Sequence, residues 1–520
     1  MNRRHFLANG IPWSIAAYAG SRRALATAPQ PGVIFDRPRP FSFDWLRARA
    51  RSLARSAYVP DKPPVPDLVQ TINFDVSQKI KFRPEDALWR DGPGQLPVRF
   101  FHLNQFVGVP ATINVVNGRT AQRVIYRPRY FDYDGTGLGD KLPLNLGFAG
   151  FRVMNGRTSE TDWLAFQGAS YFRSSGEDNQ YGASARGIAV DTALSTQEEF
   201  PRFTEFWIAE NPDIANTVTI YALLEGPSIT GAYKFVANRG KGVVMDVHAE
   251  LYAREDIERL GIAPLTSMYW YSDSNYWQRE DWRPAIHDSD GLAMWTGKGE
   301  RIWRPLNDPP SLQVNSFMDV NPKGFGLMQR DRNFDHYQDD GAFYNRRPSI
   351  WVEPRGNWGE GAVQLVEIPT DDEVHDNIVA YWLPKAPVKS GTALSLDYRL
   401  YWQNNEPHLP ASVGHVVATR IGRGGIPGSP GQKNRRKFVI DFEGGPLANI
   451  PTRYDMTPVI SMSRGKADHA YVIKVVGTKI WRAFFDVGVD GKAPVDMRCY
   501  LRLDNKTLTE TWLYQYFPTM

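Results

Sequence analysis

The sequence predicts an all-β, mostly antiparallel protein that closes with a small sandwich, and three observations carry that expectation. Short runs rich in Val, Ile, Tyr and Phe recur with period two between Gly, Pro and Asn punctuation. Strands nowhere alternate with long helices, which disfavours a parallel α/β sheet. A polar connector holding Gly422, Gly424, Gly425, Pro427, Gly428, Pro430 and Gly431 precedes a last strand-bearing block of about 110 residues, a length that suits a small sandwich.

The first 26 of the 520 residues read as an export leader outside the fold. Arg3 and Arg4 give the twin-arginine pattern, a weakly apolar stretch runs from Ile11 to Gly20, and Ala24-Leu25-Ala26 forms a small-residue cleavage site. That stretch is far short of the roughly 20 apolar residues of a membrane span, so export to the periplasm without membrane insertion is expected. After a Pro-rich lead-in, Phe43 to Tyr58 reads as a helix, with Leu46, Ala50, Leu53 and Ala57 on one face and Arg47, Arg49, Arg51 and Arg55 on a solvated one. Strands are then expected at Val98 to Phe101, Thr112 to Val116, Arg123 to Tyr126, Val218 to Leu224, Ala232 to Val236, Val243 to Val247 and Leu396 to Trp402, with Asn117-Gly118 as a hairpin turn. Beyond the connector, Lys437 to Phe442, Val472 to Val476, Trp481 to Asp486 and Val495 to Leu503 complete the pattern.

The formal charge of +4 is matched by the four leader arginines, which leaves the exported chain neutral and argues against a nucleic-acid partner. Cys499 is the sole cysteine, so no intrachain disulfide forms and a zinc cage is disfavoured. The nine histidines make no His-x-x-x-His spacing, and no phosphate loop, dinucleotide fingerprint or Gly-x-Ser-x-Gly elbow is present. No metal and no cofactor is expected. Aromatics at 13%, with 16 tryptophans, suit either sugar stacking or the packing of a large β core.

What remains is carboxylates among aromatic residues. One cluster runs from Arg283 through His287, Asp288, Ser289 and Asp290 to Trp295, and the other from Glu373 through His375, Asp376 and Asn377 to Trp382. Glycoside cleavage needs one carboxylic acid and one carboxylate, which two such segments supply. Asp-Asn and Asp-Ser-Asp are equally ordinary turn chemistry.

At these residues the chain resembles the family of periplasmic glucan biosynthesis proteins OpgG and OpgD. The resemblance runs over essentially the whole exported chain. It includes Leu146-Gly147-Phe148-Ala149-Gly150-Phe151-Arg152, Gly168-Ala169-Ser170-Tyr171-Phe172-Arg173, Ser184-Ala185-Arg186-Gly187, Asn321-Pro322-Lys323-Gly324-Phe325-Gly326-Leu327, Asp335-His336-Tyr337-Gln338-Asp339, Trp351-Val352-Glu353-Pro354 and Glu510-Thr511-Trp512-Leu513-Tyr514-Gln515-Tyr516-Phe517. The twin-arginine leader points to the OpgD branch. The resemblance implies a galactose mutarotase-like β-sandwich over residues 32–402 and an immunoglobulin-like domain with its connector over 411–520.

It also implies a role in osmoregulated periplasmic glucans with a β-1,2-linked glucose backbone, by inverting endo-type cleavage of β-1,2-glucan. Asp376 in Asp-Asn-Ile-Val is then the acid and Asp288 in Ile-His-Asp the base, and contact with the periplasmic face of the synthesis machinery is implied. Tyr344, Arg347, Trp351, Trp295, Trp382 and Glu373 are expected to bind substrate along one cleft. Burial or Glu373 is expected to keep Asp376 protonated, and His287 or Ser289 to support Asp288, which reaches the attacking oxygen through water or Tyr344 rather than directly. Two alternatives stay open: a transglycosylase that closes β-1,2-glucan into a ring through an α-1,6 linkage, as in relatives with a short loop after Thr419-Arg420-Ile421-Gly422, and a non-enzymatic glucan-binding scaffold.

Overall fold

The structure, a computed structural model, describes residues 32–90, 96–209, 214–426, 428, 430 and 435–518, so the leader lies outside the described residues. Two large antiparallel sheets form a sandwich. In the first, strands follow the order Gln313–Val320, Glu360–Glu367, Ile378–Pro384, Leu260–Ser267, Ser184–Arg186, Tyr171–Ser174, Asp162–Gln167, Gly150–Met154 and Val98–Phe101. In the second, Thr112–Asn117 lies parallel to Arg202–Ala209, and the ladder continues antiparallel through Thr217–Glu225, Ile229–Arg239, Val243–Ala253, Ala393–Gln403, Ser349–Arg355, Gly324–Met328, Gly291–Trp295 and Arg301–Pro305.

Alternation decides which side chains meet between the sheets. Phe166 and Phe172 of the first sheet stack at 5.0 Å, and Phe235 of the second stands edge-on to Phe172 at 5.1 Å. Leu265, Leu365 and Ala380 join Ile220, Val247 and Leu400 in the same fully buried core. At Asn117 the expected hairpin forms, Asn117 pairing with Thr120 around Gly118 at φ 59°, where glycine carries no Cβ penalty.

The helix is shorter than its pattern. It spans Phe43–Leu53, starting where the Ser42 hydroxyl accepts the Trp45 N–H and packing Leu46 and Ala50 onto the second sheet. Its arginines divide: Arg51 and Arg55 are exposed as expected, Arg51 lying over the Tyr252 ring, whereas Arg49 pairs with Glu205 and Arg47 reaches Glu250 at 3.6 Å. Charged residues on the outer side of the sheet hold the helix down, a partnership that a helical wheel cannot reveal.

The later strands make a further two-layered unit. His415–Arg423, Arg435–Glu443, Trp481–Gly488 and Lys466–Lys474 form one sheet. Thr457–Met462, Val495–Leu503 and Thr511–Tyr516 form the other layer, which joins the second large sheet through the parallel pairs Ile302–Thr511 and Trp303–Trp512. Trp481, Phe485 and Trp512 share one core with Trp303 and Trp351 of the large sheet. Cys499 is buried there as a packing residue, and burial pushes its thiol pKa well up.

Candidate active site

Asp288 and Asp376 flank the end of one strand. Leu260–Ser267 continues as Met268-Tyr269, and successive carbonyls of an extended chain point to opposite edges. On one edge the Asp288 N–H donates to the Met268 carbonyl at 2.8 Å, and on the other the Asn377 N–H donates to the Ser267 carbonyl at 3.1 Å. The two aspartate-bearing backbones therefore stand about two strand spacings apart, roughly 9–10 Å.

Each segment is fixed by the neighbour of its aspartate. The buried Asn377 side chain accepts the Tyr269 N–H at 2.8 Å and donates to the Tyr269 and Ile368 carbonyls, both at 2.9 Å. The Asp-Asn pair thus divides its work, since Asn377 takes the turn chemistry and the Asp376 carboxyl is not spent on it. On the other side, Asp290 Oδ2 accepts the N–H groups of Arg330 and Asp331 at 3.1 and 3.0 Å, and burial pushes its pKa up to about 6. His287 stacks on Tyr269, hydrogen bonds Gln329 at 2.9 Å, and is pushed by burial down to about 4, so it is a neutral structural ring. Ser289 accepts from Ser267 at 2.9 Å. Neither residue serves Asp288 as a donor. That partner is Arg347, whose guanidinium donates to Asp288 Oδ1.

Arg347 joins the two flanks. Its guanidinium lies over the Tyr344 ring at 4.0 Å and within the electrostatic reach of Asp376 and Glu373. Burial lowers its pKa to about 10, against the pull of those carboxylates, so it stays charged near neutrality. Asp376 is reachable by solvent, yet the protein packed around its carboxyl raises its pKa, outweighing the Thr266 hydroxyl and the positive charges of Arg173 and Arg347. Tyr171 also feels the Asp376 charge, with Arg186 over its ring at 5.2 Å.

Glu373 is engaged by other partners. It takes a bidentate bond from Arg283 at 2.8 and 3.0 Å and accepts the Tyr344 hydroxyl. Tyr344 is therefore turned toward Glu373 rather than toward the Asp288 carboxylate. Arg283 also binds Asp339 at 2.7 Å and Asp281 at 2.9 Å, so one guanidinium gathers three segments of the chain. Asp339 turns its own loop by accepting the Gly341 and Ala342 N–H groups at 2.8 and 2.6 Å. Phe343, at φ 49° and ψ 51°, bends the chain so that Tyr344 and Arg347 enter the cluster, at a cost of about 1–2 kcal/mol for a non-glycine residue.

The structure brings together Asp288, Asp376, Glu373, Tyr344 and Arg347, and places the three expected tryptophans elsewhere. Trp382 is fully buried in the sandwich core beside Trp358, four residues and about 13 Å of strand beyond Ile378. Trp351 lies in the core shared with the later strands, close against Gly324, where a Cβ would stand 2.3 Å from its ring. Trp295 is covered by Arg301 at 3.8 Å and Lys323 at 5.2 Å. Composition could not separate packing rings from lining rings. Conversely, Arg283, Asp339, Arg173 and Tyr171 carried no assigned role. Their signal was a charged residue beside aromatics in the strand-like Tyr171-Phe172-Arg173 and in the Asp335 to Asp339 wording. Among the described residues no group of three or more His, Cys, Asp or Glu is placed to hold a metal ion, and no helix is long and apolar enough to cross a membrane.

Residues 41–516 match the family model described as "Periplasmic glucan biosynthesis protein, MdoG". The chain is 51% identical over 531 residues to Glucans biosynthesis protein D 2 of Ralstonia nicotianae, an alignment covering 100% of this chain and 98% of that one. It is 46% identical to Glucans biosynthesis protein D of Xanthomonas campestris and of Xanthomonas oryzae, with the same coverage.

Proposed function

The chain belongs to the periplasmic glucan biosynthesis protein family, and on that premise we propose that it shapes the glucan backbone by inverting endo-type cleavage of β-1,2-glucan. The observation that carries the proposal is the placement of Asp288 and Asp376 on opposite edges of one strand end, with Arg347 bonded to Asp288 and within electrostatic reach of Asp376. Inversion asks for carboxyl groups roughly 6.5–9.5 Å apart, with water between sugar and base. Two strand spacings allow that separation.

The neighbours assign the roles. Asp376, which the surrounding protein makes a weaker acid than a free carboxyl, gives its proton to the leaving glycosidic oxygen as the C1–O bond breaks. Asp288, paired with a guanidinium, takes a proton from the water whose oxygen bonds to C1. Arg347 orients the base, and Glu373, held by Arg283 and Tyr344, fixes the turn that ends in Asp376. The protein acts in the periplasm after removal of the leader near Ala26, and changing Arg3 and Arg4 to lysine should block export.

A second reading, transfer to a sugar hydroxyl with ring closure, uses the same carboxylates. It is favoured by the short link between the paired strands His415–Arg423 and Arg435–Glu443. Mass analysis after incubation with linear β-1,2-glucan separates the outcomes. Shorter chains support cleavage, rings lighter by one water support transfer, and unchanged glucan that still binds supports a scaffold.

A further inference from the structure

The segment that joins Tyr269–Tyr271 to Ile286–His287 combines firm anchoring with exposed rings. Tyr276 is 54% exposed, Trp277 37% and Trp282 64%, three large rings within seven residues. The backbone beneath them is pinned. Asn275 accepts the Tyr269 hydroxyl and the Ser272 N–H, both at 2.9 Å, and the Gln278 amide donates to the Asp308 carbonyl and carboxylate at 3.0 and 3.2 Å. Arg283, directly after Trp282, binds Asp281, Asp339 and Glu373. A folded protein that spends this many polar contacts to hold aromatic rings in water presents them to a ligand.

We infer that Tyr276, Trp277 and Trp282 form a glucan-binding subsite that stacks on glucosyl units of the β-1,2-glucan chain threaded past Asp288 and Asp376. The inference rests on the reading of the preceding section and adds where the chain is gripped. A neutral glucan offers flat apolar pyranose faces rimmed by hydroxyls, and this segment offers exposed rings interspersed with the exposed polar Arg279 and Glu280. Tyr276 and Trp277 meet edge to face at 5.6 Å, a contact that covers at most one face of one ring and leaves both side chains exposed. The occupant is a continuation of the substrate because Arg283 ties this segment to Glu373, three residues before Asp376. A sugar on these rings is thereby held in a fixed relation to the acid.

The test uses full-length exported protein carrying Asp376→Asn, so that binding is measured without turnover. Calorimetry with linear β-1,2-glucan should show about tenfold weaker affinity for Trp282→Ala and for the double change Tyr276→Ala with Trp277→Ala, as for aromatic anchors at other interfaces. In otherwise wild-type protein the same changes should raise KM for long glucan much more than they lower kcat, and the effect should shrink for short oligosaccharides. Unchanged affinity in folded variants overturns the inference. So does loss of self-association at unchanged glucan affinity, which would assign the rings to contacts between copies. Failure of the Asp376→Asn protein itself to bind β-1,2-glucan overturns the functional reading along with the subsite, whereas binding that ignores the rings overturns the subsite alone.

Discussion

The segment that carries Asp288 is buried and bonded along its length, whereas the turn that carries Asp376 is largely exposed and is tied to the rest of the protein at Thr370, Glu373 and Asn377. Both hold the same functional group on either side of the same strand end. Asp288 is met by a guanidinium, so its charge is compensated where it stands. Asp376 has two arginines within electrostatic reach, yet crowding by protein outweighs them and raises its pKa above the ordinary carboxyl value. Identical groups are separated into acid and base by what each neighbour supplies, and by how rigidly each is presented.

The sharpest way to break this comparison is to remove either carboxylate. Asp376→Asn and Asp288→Asn should each lower turnover on β-1,2-glucan by about 100- to 10,000-fold while melting temperature and glucan affinity change little. A folded Asp376→Asn protein with near-normal turnover would falsify the assignment of the acid.

Arg347→Met comes next, because it removes the group shared by the two flanks. Turnover should fall by about 100-fold, the scale of losing one preorganised donor in an active site. The alkaline limb of the pH–rate profile should also move to higher pH, since the lost positive charge had been lowering the Asp376 pKa. A limb that stays put, or moves down, would show that Arg347 does not act on Asp376.

Smaller effects concern the supports. Asp308 anchors Gln278 and the Thr370 N–H, and burial raises its pKa from 3.8 to about 7. Such a carboxyl takes up protons on folding between those two values. Its contribution therefore favours the fold at low pH, declines as pH rises through this window, and is fully unfavourable above about 7. Asp308→Asn should accordingly raise thermal stability at pH 8, on the order of 1 kcal/mol or more, and leave it nearly unchanged at pH 4. Melting curves at the two pH values decide this, and equal shifts at both would contradict it. Last, Phe343→Gly should relieve the left-handed backbone at the turn into Tyr344 and change stability by no more than about 1 kcal/mol, because the gain is offset by added chain entropy.

The strands were legible because alternation is a local property, visible in runs such as Val243 to Val247 and Val495 to Leu503 without knowledge of their partners. Helix length was less so: Leu53 ends the helix although Ala57 keeps the pattern. The acidic segments could be singled out because each concentrates Asp and His beside aromatics. Arg283 could not, because Asp339 and Glu373 become its partners only when two distant loops fold onto its own segment. For the same reason Trp351 and Trp382 were indistinguishable from cleft residues. A tryptophan in a strand reads alike whether its face meets sugar, a second sheet or another layer of the protein.

The pairing of Ile302 with Thr511 has a consequence for how the chain is made. Its partners are separated by about 200 residues, a span that takes roughly 10 to 40 seconds to synthesise. Throughout that interval the outer edge of Arg301–Pro305 waits with unsatisfied backbone groups, beside the broad Trp303 surface that Trp512 will later cover. Once the strands up to Gln403 have been made, the newborn chain passes through a stage in which most of the sandwich can assemble but one sticky border cannot yet be sealed, and cellular factors that shield such borders are most needed then.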